Sequence, residues 1–82
     1  MNEQQIYDTV ADVLVEELEI DRARISPTAN IFSGLGVDSL ELMAAVVALE
    51  EKFGVALEDI ELENVQTVHD VVALVTQKMA KQ

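Results

Sequence analysis

The chain has no cysteine and no tryptophan, one proline, three glycines, one tyrosine and two phenylalanines, and only five basic residues among 82. Without cysteine there is no disulfide framework and no thiolate metal ligand, so any thiol chemistry must come from an attached group. The longest apolar run, Leu42 to Leu49, is L-M-A-A-V-V-A-L, far short of the about 20 residues needed to span a bilayer. The opening M-N-E-Q-Q-I-Y-D lacks the basic and apolar regions of a signal peptide and the arginines of a transit peptide. Five bases against sixteen acids give a net charge of −11, which argues against nucleic acid or an anionic membrane surface as partner and for basic protein surfaces. No D-x-D-x-D-G calcium loop occurs, and no metal site is expected. The expectation is one domain over residues 1–82 with a modest core, soluble and cytoplasmic, with no membrane insertion.

What is present is mostly helical periodicity. Asn2 and Gln5 form a capping-box pattern, and Ile6, Val10, Val13, Leu14 and Leu18 recur at helical spacing, which predicts a first helix over 3–18 with Tyr7 and Ala11 extending its apolar stripe. Residues 20–37 show neither helical nor strand period and contain Pro27, Asn30, Gly34 and Gly36, so they read as a long connection. Its apolar residues Ile25, Ile31, Phe32, Leu35 and Val37 are expected to pin it across the helices, and Arg22 and Arg24 to pair with helix acids. A second helix is predicted over 39–53, stopped by Gly54. The acidic E-D-I-E-L-E-N that follows is expected to hold one short helical turn with Ile60, Leu62 and Val65 inward. Thr67 and Asp70 give a third capping box before a last helix over 68–80, with Val68, Val71, Val72, Val75 and Met79 facing inward and Lys78 and Lys81 near its end. The fold class is therefore all-α, a four-helix bundle of three longer helices and one short one, with a long loop between the first two.

The informative stretch runs from Gly34 to Phe53. Asp38 and Glu41 make a capping box, which places Ser39 on the first turn with its side chain free. Unpaired N–H groups and the positive end of the helix dipole would favour a phosphodiester on that hydroxyl. A serine beside an aspartate at a helix start is ordinarily only part of a cap. The wider run, F-S-G-L-G-V-D-S-L continuing to A-L-E-E-K-F, resembles the acyl carrier protein family, whose G-x-D-S-L serine carries a 4′-phosphopantetheine arm. The resemblance extends from the first helix to T-V-H-D-V-V-A-L-V near the end. It implies attachment of 4′-phosphopantetheine to Ser39, flanked by Asp38, and a monomeric carrier of acyl thioesters in fatty-acid or polyketide-type biosynthesis. The chain would then be no enzyme itself but a substrate of a phosphopantetheinyl transferase and of acyl-transferring and synthase enzymes.

The second helix carries two apolar stripes. Leu42, Ala45, Val46, Leu49 and Phe53 make the core face. Leu40, Met43, Ala44 and Val47 make another, expected to be at least partly exposed and rimmed by Glu41, Glu50 and Glu51, as a protein contact would be; the alternative is a central helix buried on all sides. In the resemblance, Met43 and Val47 correspond to apolar partner-contacting positions. Asp38, Glu41, Glu50, Glu51, Glu58, Asp59, Glu61 and Glu63 against Lys52 place −7 of the −11 around this helix. A solvated surface is the ordinary meaning of such acids, but their position favours steering of basic partners. Two departures stand beside the attachment point: Gly34 and Ala44 replace acids frequent in fatty-acid carriers, which leaves room for a specialised pathway. The nearest alternative is a peptidyl or aminoacyl carrier; an unmodified acidic helical adaptor is the alternative from another class. Direct catalysis by Ser39 is not expected, since G-V-D-S-L is not a G-x-S-x-G elbow and His69 is expected at the surface or against the connection. The small side chains Ala44, Ala45 and Ala48 suggest a place for an acyl chain between helices.

Overall fold

The computed structural model describes residues 2–57 and 63–80. Three helices, α1 (Glu3–Leu18), α2 (Ser39–Phe53) and α3 (Val68–Ala80), are joined by a connection that contains a 3-10 turn at Arg22–Arg24. Among the described residues there is no strand, only an isolated antiparallel bridge between Asn30 and Thr67. Of the short helical turn predicted on 58–64, residues 58–62, with Ile60 and Leu62, lie outside the described residues, as does Lys81, while Val65 is buried as expected. Three helices, not four, are therefore what the described chain shows, and the connection between α1 and α2 is broken by its own turn of 3-10 helix.

Each helix starts where a side chain can take over the first free amides. Asn2 Oδ1 accepts the Gln5 N–H at 2.8 Å while Gln5 Oε1 accepts the Asn2 N–H at 2.9 Å, a reciprocal box that fixes the start of α1. Asp38 and Glu41 do the same for α2 at 2.8 and 3.2 Å. At α3, Thr67 Oγ1 accepts the Asp70 N–H at 3.2 Å, and Asp70 Oδ2 accepts the N–H groups of both Thr67 and Gln66 at 3.0 Å. Those amides, Thr67 first and Gln66 next, hold the Asp70 carboxyl below the usual aspartate range. A carboxyl lowered on folding adds stability above its unfolded pKa, and this is lost as pH falls through that value and then through the lower folded one. Asp70→Ala is thus expected to lose about 1 kcal/mol near neutral pH, with the difference from wild type closing below about pH 4. Urea midpoints at pH 7 and pH 3 check this; an unchanged gap would show that the carboxylate is not what caps α3.

The helices end differently. α2 stops at Gly54 in the left-handed conformation (φ 67°), and the Gly54 and Val55 N–H groups reach the Glu50 carbonyl at 2.8 and 3.2 Å. α1 stops at Glu19, also left-handed (φ 54°), with no basic residue in its last turn. A side chain is strained in that conformation, and a carboxylate opposes the negative helix end. Glu19→Gly is expected to raise stability by about 1 kcal/mol, read as a higher urea midpoint; a fall would mean that the side chain holds the end of α1.

α1 lies against both α2 and α3. The core takes Ile6, Val10, Val13 and Leu14 from α1, Leu42, Ala45, Val46 and Leu49 from α2, and Val68, Val71, Val72 and Val75 from α3. Leu74 joins them although its position was not read as inward. The connection closes the remaining side with Ile20, Ile25, Ile31, Leu35 and Val37. Three backbone hydrogen bonds stitch it to the start of α3: Ile31 N–H to the Gln66 carbonyl at 2.8 Å, Val68 N–H to the Ala29 carbonyl at 3.1 Å and His69 N–H to the Pro27 carbonyl at 2.9 Å. Phe32 departs from expectation. It is 38% exposed instead of pinning the segment.

Candidate functional site

The segment that delivers Ser39 is built around Asn30. Its Oδ1 accepts the N–H groups of Phe32 and Ser33, both at 2.9 Å, and its carbonyl accepts those of Gly34 and Leu35, both at 2.9 Å. The Gly36 N–H then reaches the Phe32 carbonyl and the Val37 N–H the Ile31 carbonyl, each at 3.1 Å, with Gly36 left-handed (φ 70°). Leu35 and Val37 turn inward and are buried, and Asp38 caps α2.

Ser39 is the first residue of α2 and is exposed. Among the described residues its hydroxyl has no hydrogen-bond partner, and its own N–H and that of Leu40 are likewise open, whereas the Glu41 and Leu42 N–H groups go to Asp38. A phosphodiester on Ser39 Oγ would therefore displace nothing and would meet two open amides at the positive helix end. The residues present fit a phosphate-linked arm.

Beyond Ser39, the second apolar stripe of α2 is open to solvent. Leu40 is 82% exposed, Val47 50% and Met43 41%, with Ala44 also exposed. The acids around it are more occupied than the sequence suggests. Asp38 and Glu41 hold each other's backbone in the capping box, and Glu50 Oε2 accepts the Leu57 N–H at 3.0 Å; Glu51 is exposed. Three of these carboxylates therefore also shape the helix ends.

The two departures from the fatty-acid pattern have different physical standing. A Cβ at Gly34 would come 2.7 Å from the Asn30 carbonyl oxygen, so the turn as built excludes any side chain there. Ala44 faces solvent, and nothing in the structure demands its small size. The three alanines do not share a cleft: Ala44 is exposed, Ala48 half-buried and Ala45 fully buried.

Arg22 pairs with Asp12, and with Asp8 at 3.8 Å. Arg24 does not bind a helix acid; its Nη2 donates to the Gly34 carbonyl at 2.7 Å. His69 is exposed at the start of α3, its backbone N–H on the Pro27 carbonyl at 2.9 Å and its Nε2 3.6 Å from Glu3. It thus sits both at the surface and against the connection. Sequence reading missed Asn30 and the Arg24 clasp; an asparagine two residues before an uncapped turn was the available signal for the first.

The model of the phosphopantetheine attachment site matches residues 8–75 of this chain. An acyl carrier protein of Guillardia theta is 34% identical over 80 residues, covering 98% of this chain and 99% of that protein. One from Thermosynechococcus vestitus is 35% identical over 80 residues, with coverage of 98% and 99%. Another, from Solidesulfovibrio magneticus, is 33% identical over 73 residues, covering 89% and 94%. The matched span contains Ser39 and all of α2.

Proposed function

The chain belongs to the acyl carrier proteins, whose family attaches 4′-phosphopantetheine covalently, and from that premise we propose that Ser39 Oγ is the attachment point. The observation that carries the proposal is the exposed hydroxyl, without a partner among the described residues, at a helix start whose first two amides are open. With a phosphopantetheinyl transferase, Ser39 Oγ bonds to the pantetheine-side phosphorus of coenzyme A as the diphosphate P–O bond breaks. Adenosine 3′,5′-bisphosphate leaves, and the hydroxyl proton passes to a base of the transferase. Asp38 positions the serine by holding the first turn, and the open amides of Ser39 and Leu40 favour the resulting negative charge. Once attached, the arm supplies a terminal thiol that holds an acyl group as a thioester.

The protein's part is delivery: a tethered intermediate is presented at high effective concentration to successive enzymes. We assign the partner surface to Leu40, Glu41, Met43, Ala44, Val47, Glu50 and Glu51, met by transferase and synthase faces with an apolar centre and a basic rim. The pathway is of fatty-acid or polyketide type, the missing acids at Gly34 and Ala44 favouring a specialised one. The carrier is proposed to work as a monomeric single domain in the cytoplasm. Incubation with coenzyme A and a broad-specificity transferase, read by intact mass, is expected to add one phosphopantetheine to wild type and none to Ser39→Ala. A gain in both would move the attachment elsewhere, and a gain in neither would remove the proposal. The mass of the payload on protein from its own host separates an acyl carrier from a peptidyl one.

A further inference from the structure

We propose that Asn30 is a positioning residue for the modification of Ser39: with one side-chain oxygen and one carbonyl it builds the turn that fixes where the hydroxyl stands. This rests on the reading of Ser39 as the attachment point and goes beyond it by naming what aims that hydroxyl.

Every backbone N–H from Ile31 to Asp38 has an acceptor, although these residues belong to neither helix nor strand. Four of those eight donors go to Asn30. Ile31 ties the front of the turn to Gln66, Phe32 and Ile31 accept from its back, and the Asp38 N–H joins it to Glu41 of α2. Arg24 closes the outside by donating to the Gly34 carbonyl. Gly34 closes the inside, since the Asn30 carbonyl stands where a Cβ would go. The turn is therefore hydrogen-bonded throughout, and the side-chain acceptor for its Phe32 and Ser33 amides is Asn30 Oδ1.

The Phe32 and Ser33 residues that this oxygen organises are exposed. Their amides would find water if the turn opened, so losing the side chain removes little from the fold. The consequence for chemistry is larger. A reacting hydroxyl displaced by about 1 Å can lose on the order of a hundredfold in rate, and the buried Val37 and the Asp38 cap transmit any shift of the turn to Ser39.

The test follows loading by a broad-specificity phosphopantetheinyl transferase with coenzyme A, by intact mass over time, for wild type, Asn30→Ala, Asn30→Asp and Asn2→Ala. Asn2 caps α1 with the same chemistry, so its loss is the control for a cap that does not aim Ser39. Asn30→Ala is expected to lower kcat/KM about tenfold or more, through kcat more than KM because the apolar stripe is untouched. Asn30→Asp, which keeps the acceptor, and Asn2→Ala are expected to load near the wild-type rate. Asn30→Ala loading as fast as Asn2→Ala would overturn the proposal, while wild type that gains no mass would instead remove the Ser39 reading and this proposal with it. Should Asn30→Ala lose its helical circular dichroism, hydrogen exchange on wild type decides: protected amides at Phe32 and Ser33, the two held by the Asn30 side chain, support the proposal, and exchange there at open-chain rates overturns it.

Discussion

Leu40→Ala combined with Val47→Ala is expected to leave the urea midpoint of the protein almost unchanged while slowing its loading by a transferase at least tenfold. Both side chains lie largely in water in the folded protein, Leu40 at 82% and Val47 at 50% exposed. Truncating them removes little burial, and alanine is the better helix former; a surface change of this kind stays within about 0.5 kcal/mol. In a complex the balance reverses. Burying a leucine fully against a partner is worth about 1.5–3 kcal/mol, which corresponds to roughly tenfold to a hundredfold in affinity or in kcat/KM. The two measurements need the same samples: chemical denaturation for the fold, and the intact-mass time course with coenzyme A for the contact. Loading at the wild-type rate would show that the stripe is not what the transferase reads, whereas a large drop in midpoint would show that the stripe is structural. The expected split between the two readouts is what distinguishes an open contact face from a core face on one helix.

The sequence carried the helices well because their ends are chemical. Asn2 with Gln5, Asp38 with Glu41 and Thr67 with Asp70 each supply two side-chain acceptors, one for each other's backbone N–H, and all three boxes form. The predicted spans 3–18, 39–53 and 68–80 match the observed ones. Ser39 at a helix tip and the open second stripe were legible for the same reason, since a cap fixes which residues begin a helix and a 3.6 period fixes which ones share a face. The connection was not legible. Its order comes from contacts distant in sequence, Ile31 to Gln66 and Val68 to Ala29, and from one asparagine receiving four amides; no periodicity announces either. Phe32 was read inward on hydrophobicity alone, yet the turn on Asn30 sets its direction. The left-handed end of α1 was hidden as well, because the residue there is Glu19 and not a glycine.

Ile31→Ala should show the opposite split, a heavy loss of stability from a residue that belongs to no helix. Ile31 is fully buried, its N–H is on the Gln66 carbonyl and its own carbonyl takes the Val37 N–H. The backbone on both sides is therefore held, and the cavity left by the missing carbons can collapse only partly. Such truncations cost about 2–5 kcal/mol. Against the roughly 4–12 kcal/mol available to a chain of this length, that is a large share of the whole. At about 4–8 °C per kcal/mol for a domain of this size, a loss near 3 kcal/mol corresponds to a melting temperature lower by roughly 12–24 °C. A loss under about 1 kcal/mol would mean that the connection lies on the core without belonging to it. The expected value has a functional corollary. The segment that covers the core is the same one that leads into Ser39, so the position of the attachment hydroxyl is set by the fold's own closure, and the variant's folded fraction should load only as fast as that closure is maintained.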